Sequence, residues 1–338
     1  MCPKNIKDIK IKKILVIGSD SLARNLLLTP SIKKIKEAFR EAEMDIVAGP
    51  SAVEFAAEHP FFRSYIPYSI RNPFMFLKKA RKRRYDLIVS FGSGRLMPYF
   101  LRGKYRLSFF WKYFFSDKNF TMESDLALNF IEPFFGRDDA PRVFFPVTAR
   151  DRDSAAERLK NDGVKSSERF IVIAPGADAG RKPWPAEKFA KAAKELMEIY
   201  GTTVILAGPE KSRRYSEKIK ALIGGGHVYN YSGAGMKETA ALMDRADLLI
   251  TGSLDYMHLA GAAKCPVVAI FGPGNPYRYG PVGTKNIVVH SNLECFPCRA
   301  KKYCRRNFLC LEKIKPEQVL KAAMLIMDEK EQPLLFNL

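Results

Sequence analysis

The chain has 338 residues, 47% of them hydrophobic, and a formal charge of +20. That length suits two domains better than one core, and no apolar run reaches the ~18 residues of a membrane span. The basic N-terminus, MCPKNIKDIKIKKILVIG, has too short an apolar part for a signal peptide, so a cytoplasmic protein without a transmembrane anchor is expected.

In chain order, KILVIG (13–18) reads as a buried strand, followed by a helix to about Glu43. DIVAG (45–49) is a second strand, and SAVEFAAE (51–58) a helix with Ser51 as its N-cap. DLIVSFG (86–92) is a third strand; between 93 and 145 only a helix near 123–134 is legible. A polar helix, DRDSAAERLKND (151–162), precedes a fresh start: strand 169–176, helix 185–199, strand 202–208 and helix 210–222. Helix 237–245, strand 247–252, a short helix from about Tyr256, strand 266–272 and a last helix from about Pro316 follow. The alternation predicts two α/β halves, each a doubly wound parallel sheet. The expected domains are 1–165, 166–315 and a C-terminal helix and tail, 316–338, that packs back on the first half.

Charge is unevenly placed. Residues 61–118 hold 14 Lys/Arg and 2 Asp/Glu, including KKARKRR (78–84) and the aromatic YRLSFFWKYFF (105–115). Such a segment suits an anionic partner, although a solvated basic helix beside core aromatics gives the same pattern.

Strand-to-helix turns rich in small residues recur in the second half: APGADAGRKPWP (174–185), LAGPEKS (206–212), ITGSLDYMHLAGAA (250–263) and IFGPGNPYRYGP (270–281). Glycines such as Gly176 and Gly272 let backbone approach a ligand, and each following helix offers N–H groups to an anion. Four such turns on one sheet point to a phosphorylated ligand. No G-x-G-x-x-G or Walker pattern is present, which disfavours dehydrogenases and P-loop NTPases.

GRKPWPAEKFAKAAKEL (180–196) and ADLLITGSLDYMHLAGAAKCPVVAIFGPGNP (246–276) resemble glycosyltransferase family 9, the bacterial heptosyltransferases of lipopolysaccharide core assembly. LLLTP (26–30) and CFPCRAKKYCRRNFLCL (295–311) extend the resemblance over most of the chain. It implies a GT-B fold with two Rossmann-like domains, the second holding a nucleotide-sugar, and inverting transfer without a metal. On that resemblance Lys182 contacts the donor diphosphate, and Met257, His258 and Leu259 belong to a helix start under the phosphates. Met236 falls at a position near the nucleotide base. The family's sugar-gripping Asp is Ser253 here, with an acid two places on at Asp255. The family's first loop carries an Asp proposed as general base; counting back from Pro30, that position is Arg24. Arginine cannot accept a proton near neutral pH. Asp20, in the same loop, is the nearest substitute base, unless it serves only as a helix cap.

Cys295, Cys298, Cys304 and Cys310 form C-x2-C-x5-C-x5-C, a spacing that allows a structural zinc or iron–sulfur site or a set of reduced thiols. No cofactor is required by the resemblance. The sequence as a whole predicts an inverting, metal-independent transferase moving a sugar, such as heptose from ADP-heptose, to an acidic glycolipid at the cytoplasmic membrane face. The competing expectations are a non-catalytic relative that binds nucleotide-sugar or glycolipid, and a basic nucleic-acid-binding protein; no nucleic-acid motif supports the latter.

Overall fold

The computed structural model describes residues 3, 5–68, 80–91, 97–109, 121–136, 142–176, 182–298 and 304–328. Its contacts divide the chain into Met1–Pro146 and Val147–Leu338.

The first unit contains β1 (Lys13–Ile17), α1 (Leu22–Ala38), β2 (Glu43–Ala48), α2 (Val53–Ala57), β3 (Ser64–Pro67), β4 (Tyr85–Ser90), β5 (Gly103–Ser108) and α3 (Glu123–Phe135). The strands pair in the order β3-β2-β1-β4-β5, all parallel. The second unit contains α4 (Ala149–Asn161), β6 (Phe170–Ala174), α5 (Ala186–Tyr200), β7 (Thr203–Leu206), α6 (Arg213–Ile223) and β8 (Val228–Asn230). It continues with α7 (Met236–Met243), β9 (Leu248–Thr251), α8 (Leu254–Ala263), β10 (Val267–Phe271), α9 (Pro276–Tyr279), β11 (Asn286–His290), α10 (Leu309–Lys313) and α11 (Pro316–Asp328). Its sheet runs β11-β10-β9-β6-β7-β8, again wholly parallel. Central strands such as FIVIA and VVAIF are buried along their whole length, as a sheet covered on both faces requires.

Both sheets are doubly wound. Strand order reverses beside β1 in the first unit and between β6 and β9 in the second. Ligands in such sheets bind at the carboxyl ends of the strands at that reversal.

The division falls between 146 and 147 rather than at the expected 165/166 because α4 packs on α7. Arg152 pairs with Asp244 at 2.9 Å, Arg158 with Glu238 at 2.7 Å, and the Arg158 guanidinium stacks 4.0 Å over Tyr231. A capping box, Thr148 with Asp151, starts α4 just past the division. The last helix, α11, packs on α5 and on β9, β10 and β11 of its own unit, so it is not a separate piece. Ser51 does not cap a helix: it lies in a 3-10 turn, and its hydroxyl donates to the Asp20 carbonyl at 2.6 Å.

LLLTP lies inside α1, not in a loop. Pro30 lacks the N–H that would reach the Leu26 carbonyl. The Thr29 hydroxyl donates to that carbonyl instead, at 2.6 Å, and accepts the Phe144 N–H at 2.9 Å. The Thr-Pro pair thus repairs its own helix and ties down the end of the first unit.

Candidate functional site

In the first unit the site is the turn from β1 into α1. Asn25 is wholly buried, and its side chain closes three hydrogen bonds of 2.9 Å: it accepts from the Ser19 N–H and donates to the Ser19 and Ser21 carbonyls. Gly18 passes so close to that amide that a Cβ there would collide with its oxygen. Gly49 in turn approaches Asp20, where a Cβ would lie 2.5 Å from the Asp20 Cα. The loop is therefore held from inside, and it presents Asp20 and Arg24 outward, both exposed. Asp20 is no helix cap. Ser21 is the N-cap residue of α1, its side chain makes no capping bond, and the Asp20 carboxylate accepts from the Ser19 hydroxyl at 3.2 Å. Tyr68, just past β3, has its phenol pushed up by burial and then by the charge of Asp20, which places that charge among the carboxyl ends of the strands.

In the second unit the site gathers at the β6–β9 reversal. Thr251 is buried; its hydroxyl donates to the Ala174 carbonyl at 2.8 Å and accepts the Ser253 N–H at 3.0 Å. This hydroxyl joins the last residues of β6 to the turn that opens α8. A Cβ on Gly176 would lie 3.8 Å from that of Ser253, so Gly176 and Ser253 are neighbours across the reversal with room at the glycine. Ser253 is the N-cap of α8 without a side-chain capping bond, and Asp255 sits half-buried in its first turn. A helix start at this point favours an anion.

The remaining residues singled out in the sequence divide sharply. Lys182 is exposed and donates to Asn307 Oδ1 at 3.0 Å. Its neighbour Trp184 is buried against Phe189, with the indole N–H on the Ile314 carbonyl at 3.2 Å. The K-P-W-P stretch thus anchors structurally while carrying one outward cation. Met236 is half-buried at the first position of α7, in the turn after β8. Met257, His258 and Leu259 have their side chains inside the protein, at no more than 1% exposure. Burial holds the His258 ring down at about 4, so it is neutral; the Tyr279 backbone is the polar group against it, without good hydrogen-bond geometry. What this trio offers a ligand is the placement of α8, not a charged side chain. Gly272 has a packing reason of its own: a Cβ there would meet Leu311 at 2.5 Å.

Asn25 and Thr251 carry these turns and were not singled out in the sequence. The signal for Asn25 was an amide directly before the apolar run LLL, inside an otherwise buried helix. Thr251 carried no signal, because a Thr ending an apolar strand is unremarkable. The pairing of Glu210 with Arg213 was also silent. It braces the turn after β7 through two bonds of 2.6 and 2.7 Å, and Arg213 also reaches the Ser232 carbonyl after β8.

The four clustered cysteines are free thiols. Among the described residues no group of three or more Cys, His, Asp or Glu side chains is arranged to hold a metal. The Cys304 sulfur accepts the Phe308 N–H at 3.3 Å, and burial, with the other three cysteines adding to it, pushes the Cys310 thiol up to about 11.

The family model for glycosyltransferase family 9 (heptosyltransferase) matches residues 134–308, just over half of the chain. The chain is 27% identical to lipooligosaccharide heptosyltransferase 2 of Campylobacter jejuni over 329 residues, covering 92% of this chain and 97% of that protein. The crystal structure of the family 9 glycosyl transferase of Veillonella parvula superposes with a TM-score of 0.79 at 22% identity, over 94% of this chain and 98% of that one. The structure of E. coli ADP-heptose lps heptosyltransferase II superposes at 0.72 with 19% identity, over 93% and 98%.

Proposed function

The chain belongs to glycosyltransferase family 9, a glycosyltransferase of the GT-B class, and from that membership we propose that it transfers heptose from ADP-heptose to an anionic glycolipid of lipopolysaccharide core synthesis. The observation that carries this reading is the β6–β9 reversal, where the open Gly176 faces the start of α8 across Ser253. That is where the donor diphosphate is proposed to sit, its charge met by the helix start. Lys182 would exchange Asn307 for the diphosphate and steady the charge that builds on departing ADP. Asp255, one turn into α8, is the acid proposed to reach the sugar hydroxyls. The first unit is proposed to serve the acceptor. Asp20 takes the proton from the acceptor hydroxyl as its oxygen attacks the anomeric carbon, and ADP leaves from the opposite face, inverting that centre. The proposed chemistry uses no metal or cofactor and runs on the cytoplasmic side of the membrane. Among the described residues no helix is long and apolar enough to cross one.

Calorimetric titration with ADP, UDP and GDP, followed by transfer from ADP-heptose to a heptose-deficient glycolipid, tests the reading; preference for UDP or GDP would refute the donor assignment. Asp20→Asn is expected to leave ADP affinity intact and cut transfer by about a hundred- to ten-thousand-fold. A normally active D20N enzyme would remove Asp20 as the base.

Arg24 favours a second reading, a donor-binding relative without transfer, since an exposed guanidinium stands where the family keeps its carboxylate. In that case wild type binds ADP-heptose yet transfers to no acceptor, and Arg24→Asp restores turnover.

A further inference from the structure

The turn after β10, IFGPGNPYRYGP, has no part in the reaction described so far. Register sets Phe271, the last residue of β10, beside His290, the last residue of β11, so the loops that follow leave the sheet side by side. They are also tied together, since the Cys298 N–H donates to the Gly274 carbonyl at 3.1 Å. Within them three rings form a shelf. His290, 9% exposed, lies flat on Phe296, with centroids 4.0 Å apart and planes 5° from parallel. Phe296 meets Tyr277 at 6.1 Å, tilted by 60°. Tyr277 is the outer ring, 39% exposed, and its backbone is fixed by Asn275 Oδ1, which accepts the Tyr277 N–H at 3.1 Å. At the inner end two side-chain atoms are buried and find no hydrogen-bond partner among the described residues: His290 Nδ1 and Ser291 Oγ.

Aromatic faces beside hydrogen-bonding atoms are the chemistry of a sugar site. The C–H groups of a sugar pack on the rings, and its hydroxyls both donate and accept. An unmade bond at a buried atom costs stability that such a ligand returns. The place on the sheet says which part of the sugar is met. The strand order is β11-β10-β9-β6-β7-β8, with the diphosphate assigned to β6 and β9, and Met236, assigned to the base, just after β8. A nucleotide lying over β7 and β8 leaves its sugar to extend over β10 and β11. The end of β11 is two strands from that of β9, about 10 Å, so the shelf meets the far end of the sugar rather than its anomeric carbon. In a heptose that end is an exocyclic diol, where a hexose carries a lone hydroxymethyl group. We propose that Tyr277, Phe296, His290 and Ser291 form a subsite for the exocyclic diol of the donor heptose and select heptose over hexose donors. The rings pack on its C–H groups, and His290 Nδ1 and Ser291 Oγ bond its hydroxyls. Phe296, half-buried, covers the His290 ring and shifts as the diol enters.

This proposal rests on the ADP-heptose reading, so each protein is titrated calorimetrically with ADP, ADP-mannose and ADP-heptose. ADP-mannose has the ring of the heptose donor without its last carbon. Wild type is expected to bind ADP-heptose about tenfold or more tightly than ADP-mannose. Tyr277→Ala, and separately His290→Phe with Ser291→Ala, should each bring the two sugars to within about twofold of one another while ADP affinity stays unchanged. His290→Phe keeps a ring on Phe296, and with Ser291→Ala it removes both unpartnered atoms, so the melting temperature should hold or rise. Tyr277 is exposed, so its variant keeps the test open if the buried pair fails to fold. A merely structural role would instead lower the melting temperature and weaken all three ligands alike. Wild type that binds no ADP would refute the donor reading and the subsite with it. Wild type that binds ADP but does not distinguish the two sugars would overturn the subsite alone, as would an unchanged preference for heptose in the variants.

Discussion

After β1 the chain turns around a buried amide, and after β9 it turns around a buried hydroxyl. Asn25 closes three hydrogen bonds on the first turn, and Thr251 closes two on the second. Both turns sit where their sheet reverses strand order. They differ in what they show the solvent. The first projects an acid and a guanidinium, Asp20 and Arg24. The second keeps Met257, His258 and Leu259 inside and presents a helix start and a glycine. Proton transfer needs a protruding titratable atom, whereas holding a diphosphate needs backbone N–H groups and space. On the proposed function, the same topology would serve these two tasks by changing which atoms face outward.

The comparison breaks most readily at Asn25. Asn25→Leu fills the same space but strands the buried Ser19 N–H, while the Ser19 and Ser21 carbonyls lose the amide and keep only the Gly49 and Asn25 backbone N–H groups. It is expected to cost about 3 kcal/mol and to lower transfer through the misplaced Asp20 turn, with ADP affinity unchanged in the protein that remains folded. Thermal denaturation with a donor titration checks both parts. Thr251→Val strands only the Ala174 carbonyl and the Ser253 N–H, and should cost about 3 kcal/mol. Here the loss should appear in ADP affinity, because the start of α8 moves. If both variants damaged the same activity parameter, the division of labour would fail.

Acid sharpens the comparison next. His59, packed among Phe55, Phe61, Phe62 and Phe144, is held by burial at about 3, and His258 at about 4. Both folded values lie below the ordinary 6.5, so the unfolded chain binds these protons first. Stability is complete above about 6.5 and is lost as pH falls towards about 3 for His59 and about 4 for His258. Each should remove about 2 kcal/mol by pH 5. His59→Phe, in its aromatic shell, should abolish the loss in the first unit alone; denaturant melts at pH 7 and pH 5 would reveal a persisting loss if the assignment were wrong.

The smallest effect concerns a side chain at the surface. Lys182→Ala gives up the bond to Asn307 and the proposed diphosphate contact. It should weaken ADP about tenfold, as a charged hydrogen bond is worth roughly 1.5–3 kcal/mol, while the melting temperature barely moves. Unchanged affinity for every nucleotide tested would leave Lys182 a surface anchor.

The central strands were legible because buried parallel strands are written as unbroken apolar runs: KILVI, FIVIA, LLIT and VVAIF. The edge strands β3, β5 and β11 were not. SYIP and GKYRLS are only partly buried, and their mixed polarity matches no single period. β11, the apolar NIVVH, was lost after a stretch rich in Gly and Pro. The early end of the first unit escaped because α4 is polar almost all round. Its ion pairs with α7, the stacking of Arg158 on Tyr231 and the buried Ala155 and Leu159 assign it to the second unit. Much of the basic segment, 69–79 and 110–118, lies outside the described residues.

By itself the sequence determined the two parallel α/β halves, the family, and the turns proposed to meet a ligand, because strand runs and turn residues are local properties. The tertiary structure decided what each of those residues does. Nothing local separates His258, sealed and neutral, from a histidine on a phosphate, or Gly176, which leaves room, from Gly272, which makes way for Leu311. Nor could it show that Asp20 caps no helix while Asn25 holds its loop. Burial and hydrogen-bond partners are set by segments distant in the chain. A side chain's chemistry depends on those neighbours as much as on its own identity.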